Sequence, residues 1–250
     1  MLRRSFTLLG IVLALVVSAQ AQNSYVEAGA PAPDRAWSGT DYQAFAKLLT
    51  SGAVKLPTLD DPDGREIFTR LTNPENLEIY RSQHLSALLR LQGLSQAMLG
   101  CKDIVLAYAE AANKGRKVSR ESAASMAILV RVTSLSFAPA DEVVASVPAD
   151  APNRAQGEAG VAQMKKGFVE MLAGAEISLG ERNFYSEADL AVLVAALAES
   201  VPSFVSNLST NQRVELRNKF RKRKTEFKGK TTLAHFDTLI AALSAPQPAK

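Results

Sequence analysis

The sequence predicts an all-α protein of about seven helices, arranged as a bundle-like domain with one long central helix. Alanine and leucine dominate the 250 residues, and runs of β-branched residues are few. Both features favour helix over sheet. Apolar residues make up 47% of the chain, a proportion typical of a globular protein. The most regular apolar pattern, over residues 74–114, has helical spacing.

The first 21 residues have the layout of a secretory signal peptide. A basic start precedes an apolar run over residues 6–17, and Ala19 and Ala21 occupy positions −3 and −1 of a cut before Gln22. The run is too short to span a bilayer comfortably. This pattern predicts export to the periplasm or the surface of a bacterial cell.

Composition divides the rest of the chain into three parts. Residues 22–39 are small, contain proline and lack a period, which predicts a flexible leader. Residues 40–244 are expected to form the helical domain, with a candidate hinge at 139–153, where three prolines fall. Residues 245–250 are expected to be a frayed tail. Charged or polar residues interrupt the later apolar stretches, so we expect no membrane span.

The predicted central helix carries a heptad pattern. Apolar side chains recur alternately three and four residues apart from Leu77 through Leu94 to Ala112, with His84 among them. Further leucines widen this apolar arc, which predicts a central bundle helix rather than a two-stranded coiled coil. These leucines are Leu85, Leu88, Leu99 and Leu106. An unbroken helix over residues 74–114 would be about 60 Å long.

Small residues repeat every seven positions on another side of the same helix. They are Ser86, Gly93, Gly100 and Ala107. Glycine in a helix interior costs about 1 kcal/mol relative to alanine, so the two glycines need a packing reason. The repeat predicts that another helix approaches closely along this side.

Capping residues delimit several of the other predicted helices. Serine followed three residues later by an acid or a glutamine is the signature of a capping box, and proline is favoured at the first helical position. The predicted caps are Asp61 before Pro62, Ser186 with Asp189, and Ser209 with Gln212.

Positive charge is concentrated near the end of the chain. The formal net charge is +4, and loss of Arg3 and Arg4 with the signal peptide would leave +2. Residues 211–230 contain nine Lys or Arg against two Glu, a net charge of +7. An anionic partner, either an envelope surface or an acidic protein, is the functional interpretation of this segment. A solvated helix face that binds nothing is the alternative.

The spacing of the cations selects the residues that would contact such a partner. Steps of four, four, three and four residues place them on one helical side. The predicted contact residues are Arg213, Arg217, Arg221, Lys224 and Lys228. Nucleic acid is not expected as the partner, because the segment lacks interleaved aromatic residues and export places the protein in the wrong compartment.

Motifs for catalysis, cofactors and metals are missing from the sequence. The two histidines, His84 and His235, lack zinc or di-iron ligand spacing, and no nucleophile motif or phosphate-binding glycine loop occurs. We therefore predict a non-catalytic binding, scaffold or chaperone-like role, without cofactor, metal or catalytic residues. The alternative is an envelope-acting hydrolase in which Glu75 and Glu78, three residues apart, perform acid–base chemistry.

Three further features have structural interpretations. The heptad position of His84 predicts a buried, hydrogen-bonded side chain. Cys101 has no partner for a disulfide within the chain, and its apolar surroundings predict a buried, unreactive thiol. The acidic run before Gly64 resembles a calcium loop, but Leu59 and Arg70 stand where an EF-hand needs carboxylates, so a capped turn is predicted.

Overall fold

A computed structural model describes residues 24–82 and 84–245, and within these ranges the chain forms nine helices of ten or more residues and no strand. This confirms the all-α class, with slightly more helices than predicted. The helices are α1 (Gly39–Thr50), α2 (Pro62–Leu71), α3 (Ala87–Asn113), α4 (Ser119–Leu135), α5 (Phe137–Ser146), α6 (Arg154–Gly180), α7 (Glu187–Phe204), α8 (Thr210–Lys224) and α9 (Lys230–Ser244). Residues 1–21 and 246–250, the predicted signal peptide and most of the predicted tail, lie outside the described residues.

The helix predicted over residues 74–114 is divided. A 3₁₀ turn at Pro74–Leu77 and a single α-helical turn at Glu78–Arg81 come first, and α3 begins only after a non-helical connection. Ser86 has extended backbone angles, and its hydroxyl accepts a hydrogen bond from the Leu89 amide at 3.3 Å. The 27 residues of α3 therefore span about 40 Å.

The prediction of a buried His84 is wrong. His84 lies on the connection before α3 and is exposed to solvent. Its place in the heptad pattern carries no information about burial, because the helical period does not extend through a segment that is not helical.

The protein has two apolar cores, and α4 lies between them and packs against both. The N-terminal core gathers buried aromatic residues around α1, α2 and α3, among them Trp37, Phe45 and Tyr108. The C-terminal core lies among α4–α9 and includes three aromatic rings in mutual contact, Phe137, Phe168 and Phe204. α4 contributes residues to both cores. α6, also 27 residues long, equals α3 in length.

The described part of the predicted leader is packed against the N-terminal core. Trp37 is 1% exposed, and its ring lies edge-on to Phe45 with centroids 5.1 Å apart. The Trp37 amide donates a hydrogen bond to the buried Asn76 side chain at 3.0 Å. Tyr25 is also buried. This ordered packing differs from the flexible leader expected over residues 22–39, because isolated aromatic anchors have no period for a sequence pattern to detect.

The small-residue repeat on α3 is the contact surface for α1, as predicted. A Cβ atom at Gly100 would collide with the backbone carbonyl of Tyr42, and one at Gly39 would collide with the carbonyl of Gly93. A Cβ at Gly93 itself would meet the ring of Tyr80, whose hydroxyl accepts a hydrogen bond from the Gly39 amide at 2.8 Å. The two helices can approach this closely only because these side chains are absent.

The predicted caps are present. The Asp61 carboxylate accepts a hydrogen bond from the Gly64 amide at 3.0 Å, which confirms the capped turn. Capping boxes open α7 at Ser186 and α8 at Ser209. The first part of the candidate hinge at 139–153 is helical, and Pro139 lies in the first turn of α5, where proline is tolerated.

Two helical stretches reach the length and hydropathy of a membrane span. They are Ser119–Ser146 and Glu187–Asn207, and 61% and 50% of their most apolar windows are buried inside the protein. Their helices α4 and α7 pack directly against each other in the C-terminal core. Helices in the core of a soluble protein can have the same length and hydropathy as a membrane span.

Candidate functional site: the basic surface of α8

The basic helix α8 is anchored on one side by apolar residues and a capping box. The Ser209 hydroxyl accepts from the Gln212 amide at 3.2 Å, and the Gln212 side chain accepts from the Ser209 amide at 2.9 Å. Leu216 and Phe220 are buried in the C-terminal core, with α8 packed against α9 and α6. The four cations of the last turn stabilise the negative end of the helix dipole.

Arg213 is a structural residue, which corrects its assignment to the partner-binding set. Its side chain lies on the same side of α8 as Leu216, and the residue is only 8% exposed. The guanidinium donates hydrogen bonds to the carbonyl oxygens of Leu243 and Ala245 at the C-terminal end of α9. Such carbonyls have no partner within their own helix, so Arg213 caps α9 instead of facing solvent.

Several further cations of the segment are neutralised by ion pairs. Lys224 pairs with Asp237 of α9, which removes a second predicted contact residue from the free set. Arg223 pairs with Glu176 of α6 at 2.7 Å, and also with Glu226 at 3.1 Å. An additional pair joins Lys219 and Glu215 within α8 at 2.7 Å. These contacts tie α8 to its neighbours.

Five cations in this part of the described chain have no ion-pair partner. We call them the basic face: Arg217, Arg221, Lys222, Lys228 and Lys230. Arg217 is half-buried, and the other four are exposed. The neighbouring carboxylates are already engaged, including Glu187, which accepts hydrogen bonds from the backbone amides of Gly229 and Lys228. These two bonds lower the pKa of Glu187 and keep it ionised.

Three members of the basic face were predicted from the sequence, and two were not. Arg217, Arg221 and Lys228 were predicted, whereas Lys222 and Lys230 were not included. Arg213 and Lys224 differ from these because they reach α9, where Arg213 binds carbonyl groups and Lys224 pairs with Asp237. The spacing along α8 does not reveal this difference, because Arg217 lies three residues from Phe220 just as Arg213 lies three residues from Leu216.

The residues considered for catalysis do not converge. Glu75 and Glu78 are both exposed; the first accepts from the Asn73 amide group at 3.3 Å, and the second pairs with Arg81 at 3.3 Å. Among the described carboxyl groups, every shifted pKa is lowered. Glu199 is an example, because hydrogen bonds from Arg131 at 2.6 and 3.1 Å lower its pKa.

Metal and thiol chemistry receive no support from the described residues. Within residues 24–82 and 84–245, no three His, Cys, Asp or Glu side chains cluster closely enough to bind a metal ion. Cys101 is buried as predicted, and burial raises the pKa of its thiol well above the ordinary value. A thiol in this state is a poor nucleophile.

A second surface feature lies on α3. Leu88, Leu99 and Leu106, which we call the leucine stripe, are 52%, 49% and 55% exposed. The prediction that these leucines widen the buried arc is wrong. α1 packs on the glycine side of α3, and α4 and α5 also contact this helix, yet none of these helices covers the leucine stripe.

Comparison with protein-family models, with curated proteins and with solved structures finds no match for this chain. Its function is therefore inferred from its own surfaces.

Proposed function

We propose that this chain is an exported, non-catalytic helical binding protein of the bacterial envelope. The basic face is the proposed contact surface, and an anionic envelope surface rich in phosphate groups is the proposed partner. One observation carries the proposal: five cations stay without ion pairs although the carboxylates around them are engaged. Clustered uncompensated charges repel one another, and an anionic surface relieves that repulsion.

The magnitude of the expected effect follows from the number of charges. Each Lys or Arg close to an anionic membrane surface contributes about 1 kcal/mol of attraction. Neutralising three of the five cations should therefore cost about 3 kcal/mol, which corresponds to roughly a 100-fold loss of affinity. The attraction should also weaken between low salt and about 0.5 M salt, because exposed charges are then screened within a few ångströms.

The test compares two triple variants on vesicles of phosphatidylglycerol mixed with phosphatidylcholine. Arg221→Gln, Lys222→Gln and Lys228→Gln together should reduce the partition coefficient about 100-fold. The matched control, Lys47→Gln, Lys55→Gln and Lys117→Gln, removes the same net charge from exposed residues in the N-terminal half. We expect the control to bind nearly as the unmodified protein does. Glutamine keeps the helix propensity, so both variants should fold.

Three results would contradict the proposal. Equal affinity of the unmodified protein for anionic and neutral vesicles would show that the protein does not recognise the negative charge of the membrane. Equal losses in the two variants would show that net charge, rather than the basic face, is responsible. Binding to polyglutamate without binding to anionic vesicles would indicate an acidic protein as the partner instead.

Export makes a separate prediction about the N-terminus. If the signal peptide is removed as its cleavage pattern predicts, protein recovered from the envelope should begin at Gln22. Intact-mass spectrometry of that material measures the start directly. Envelope-located protein that retains Met1 and the residues after it would contradict cleavage.

A further inference from the structure

We infer that the leucine stripe is the contact surface between two copies of this chain, packed with their α3 helices antiparallel. This surface lies on a different helix from the basic face and does not depend on the proposed function. Three leucines that each expose about half of their surface along one side of a helix form an apolar patch of the kind that marks protein interfaces.

The stripe belongs to a second heptad pattern of α3. This pattern runs from Leu88 to Leu106 in steps of alternately four and three residues. Five of its six residues are exposed, and Ser95 is half-buried. The successive residues are Leu88, Gln92, Ser95, Leu99, Lys102 and Leu106. The side of α3 that packs in the N-terminal core carries the first heptad pattern, through Leu94, Cys101 and Tyr108. One heptad pattern of α3 therefore faces the N-terminal core, and the second heptad pattern faces solvent.

The residues of this second seam are self-complementary in the antiparallel direction. A two-fold axis beside residue 97 places Leu88 of one copy opposite Leu106 of the other, and Leu99 opposite Ser95. It also places Lys102 opposite Gln92, whose amide oxygen can accept a hydrogen bond from the lysine ammonium. Every position of the seam thus faces a compatible position of the second copy.

Other arrangements of the same two helices are less favourable. A parallel pair would place Lys102 against Lys102 of the second copy, and like charges in the seam destabilise the contact. Sliding one helix of the antiparallel pair by a full heptad in one direction places Leu99 opposite Lys102. Sliding it in the other direction leaves Leu106 beyond the start of the second α3. The charge of Lys102 and the positions of the leucines therefore favour the antiparallel pairing in which Leu88 lies opposite Leu106.

The residues around the leucine stripe would complete an interface between two copies. A specific interface buries about 800 Å² on each partner, with an apolar centre and a polar rim. The leucine stripe would supply the centre. Exposed polar residues near the same side of α3, namely Gln92, Asp103 and Glu110, the half-buried Gln96 and the exposed Leu89 would extend the contact towards that area.

The oligomeric state is the first test. Sedimentation analysis of the purified exported protein should give the mass of two chains at micromolar concentration, and Leu99→Glu should reduce it to one. Ile177→Glu is the matched control, since Ile177 is 58% exposed but lies on α6. Both substituted positions are exposed, so both variants should fold, which circular dichroism checks. A monomeric unmodified protein, or a Leu99→Glu variant that stays paired, would overturn the inference.

Disulfide crosslinking then tests the direction of the helices. Leu88→Cys and Leu106→Cys variants, mixed and oxidised, should form a covalent heterodimer, because the two positions face each other. Leu88→Cys alone should stay uncrosslinked, since its two copies would lie about 27 Å apart along the helices. The native Cys101 is buried and should not interfere. Efficient crosslinking of Leu88→Cys with itself would show a parallel pair and overturn the antiparallel arrangement.

Discussion

Replacing Leu94 with alanine should lower the free energy of unfolding by about 2–5 kcal/mol. Leu94 is fully buried in the N-terminal core, in the middle of α3. The substitution removes apolar atoms from packed surroundings and leaves a cavity that a helix fixed by α1 and α4 cannot easily close. Urea denaturation followed by circular dichroism measures the change as a shift in the midpoint at constant slope.

Leu89→Ala is the matched control for this experiment. Leu89 lies five residues away on the same helix but is 54% exposed. Alanine and leucine have similar helix propensities, so the loss should stay well below that of Leu94→Ala. Both variants should be unfolded at the same low protein concentration, because self-association through α3 would add to apparent stability. Equal midpoint shifts would contradict the orientation of α3.

The parts of the fold that the sequence predicted correctly depend on local rules. Capping residues such as Ser186 and Ser209 act on the backbone two or three positions away, so their effect can be read from adjacent letters. The seven-residue spacing of Gly93 and Gly100 likewise identifies one side of one helix. The spacing could not predict that α1 is the helix that packs there, because this depends on tertiary structure.

The errors arose where burial depends on distant elements. Leu88, Leu99 and Leu106 are as apolar as the core leucines, and they stay exposed only because of where α1, α4 and α5 pack on α3. In the same way, the partners of Arg213 are carbonyl groups 30 and 32 residues away. Charge patterning located the basic segment correctly. It could not separate the cations that contact the rest of the protein from those that face solvent.

The contact between α1 and α3 leads to a second stability prediction, based on two glycines. Gly100→Ala should destabilise the protein by about 2 kcal/mol or more, although alanine is the better helix former. The added methyl group would collide with the Tyr42 backbone, which cannot move without displacing α1. For a chain of this size, each kcal/mol lowers the melting temperature by about 2–4 °C.

Gly174→Ala should change stability in the opposite direction. Gly174 also lies inside a 27-residue helix, α6, but a Cβ atom there would have no neighbour within 4 Å. Without a clash, only the conformational preference of the backbone remains, and it favours alanine by about 0.5–1 kcal/mol. Calorimetry of the two variants should therefore give melting temperatures on either side of that of the unmodified protein. A stabilised Gly100→Ala would show that α1 does not pack on the glycine side of α3, whereas a destabilised Gly174→Ala would show that this side of α6 is covered.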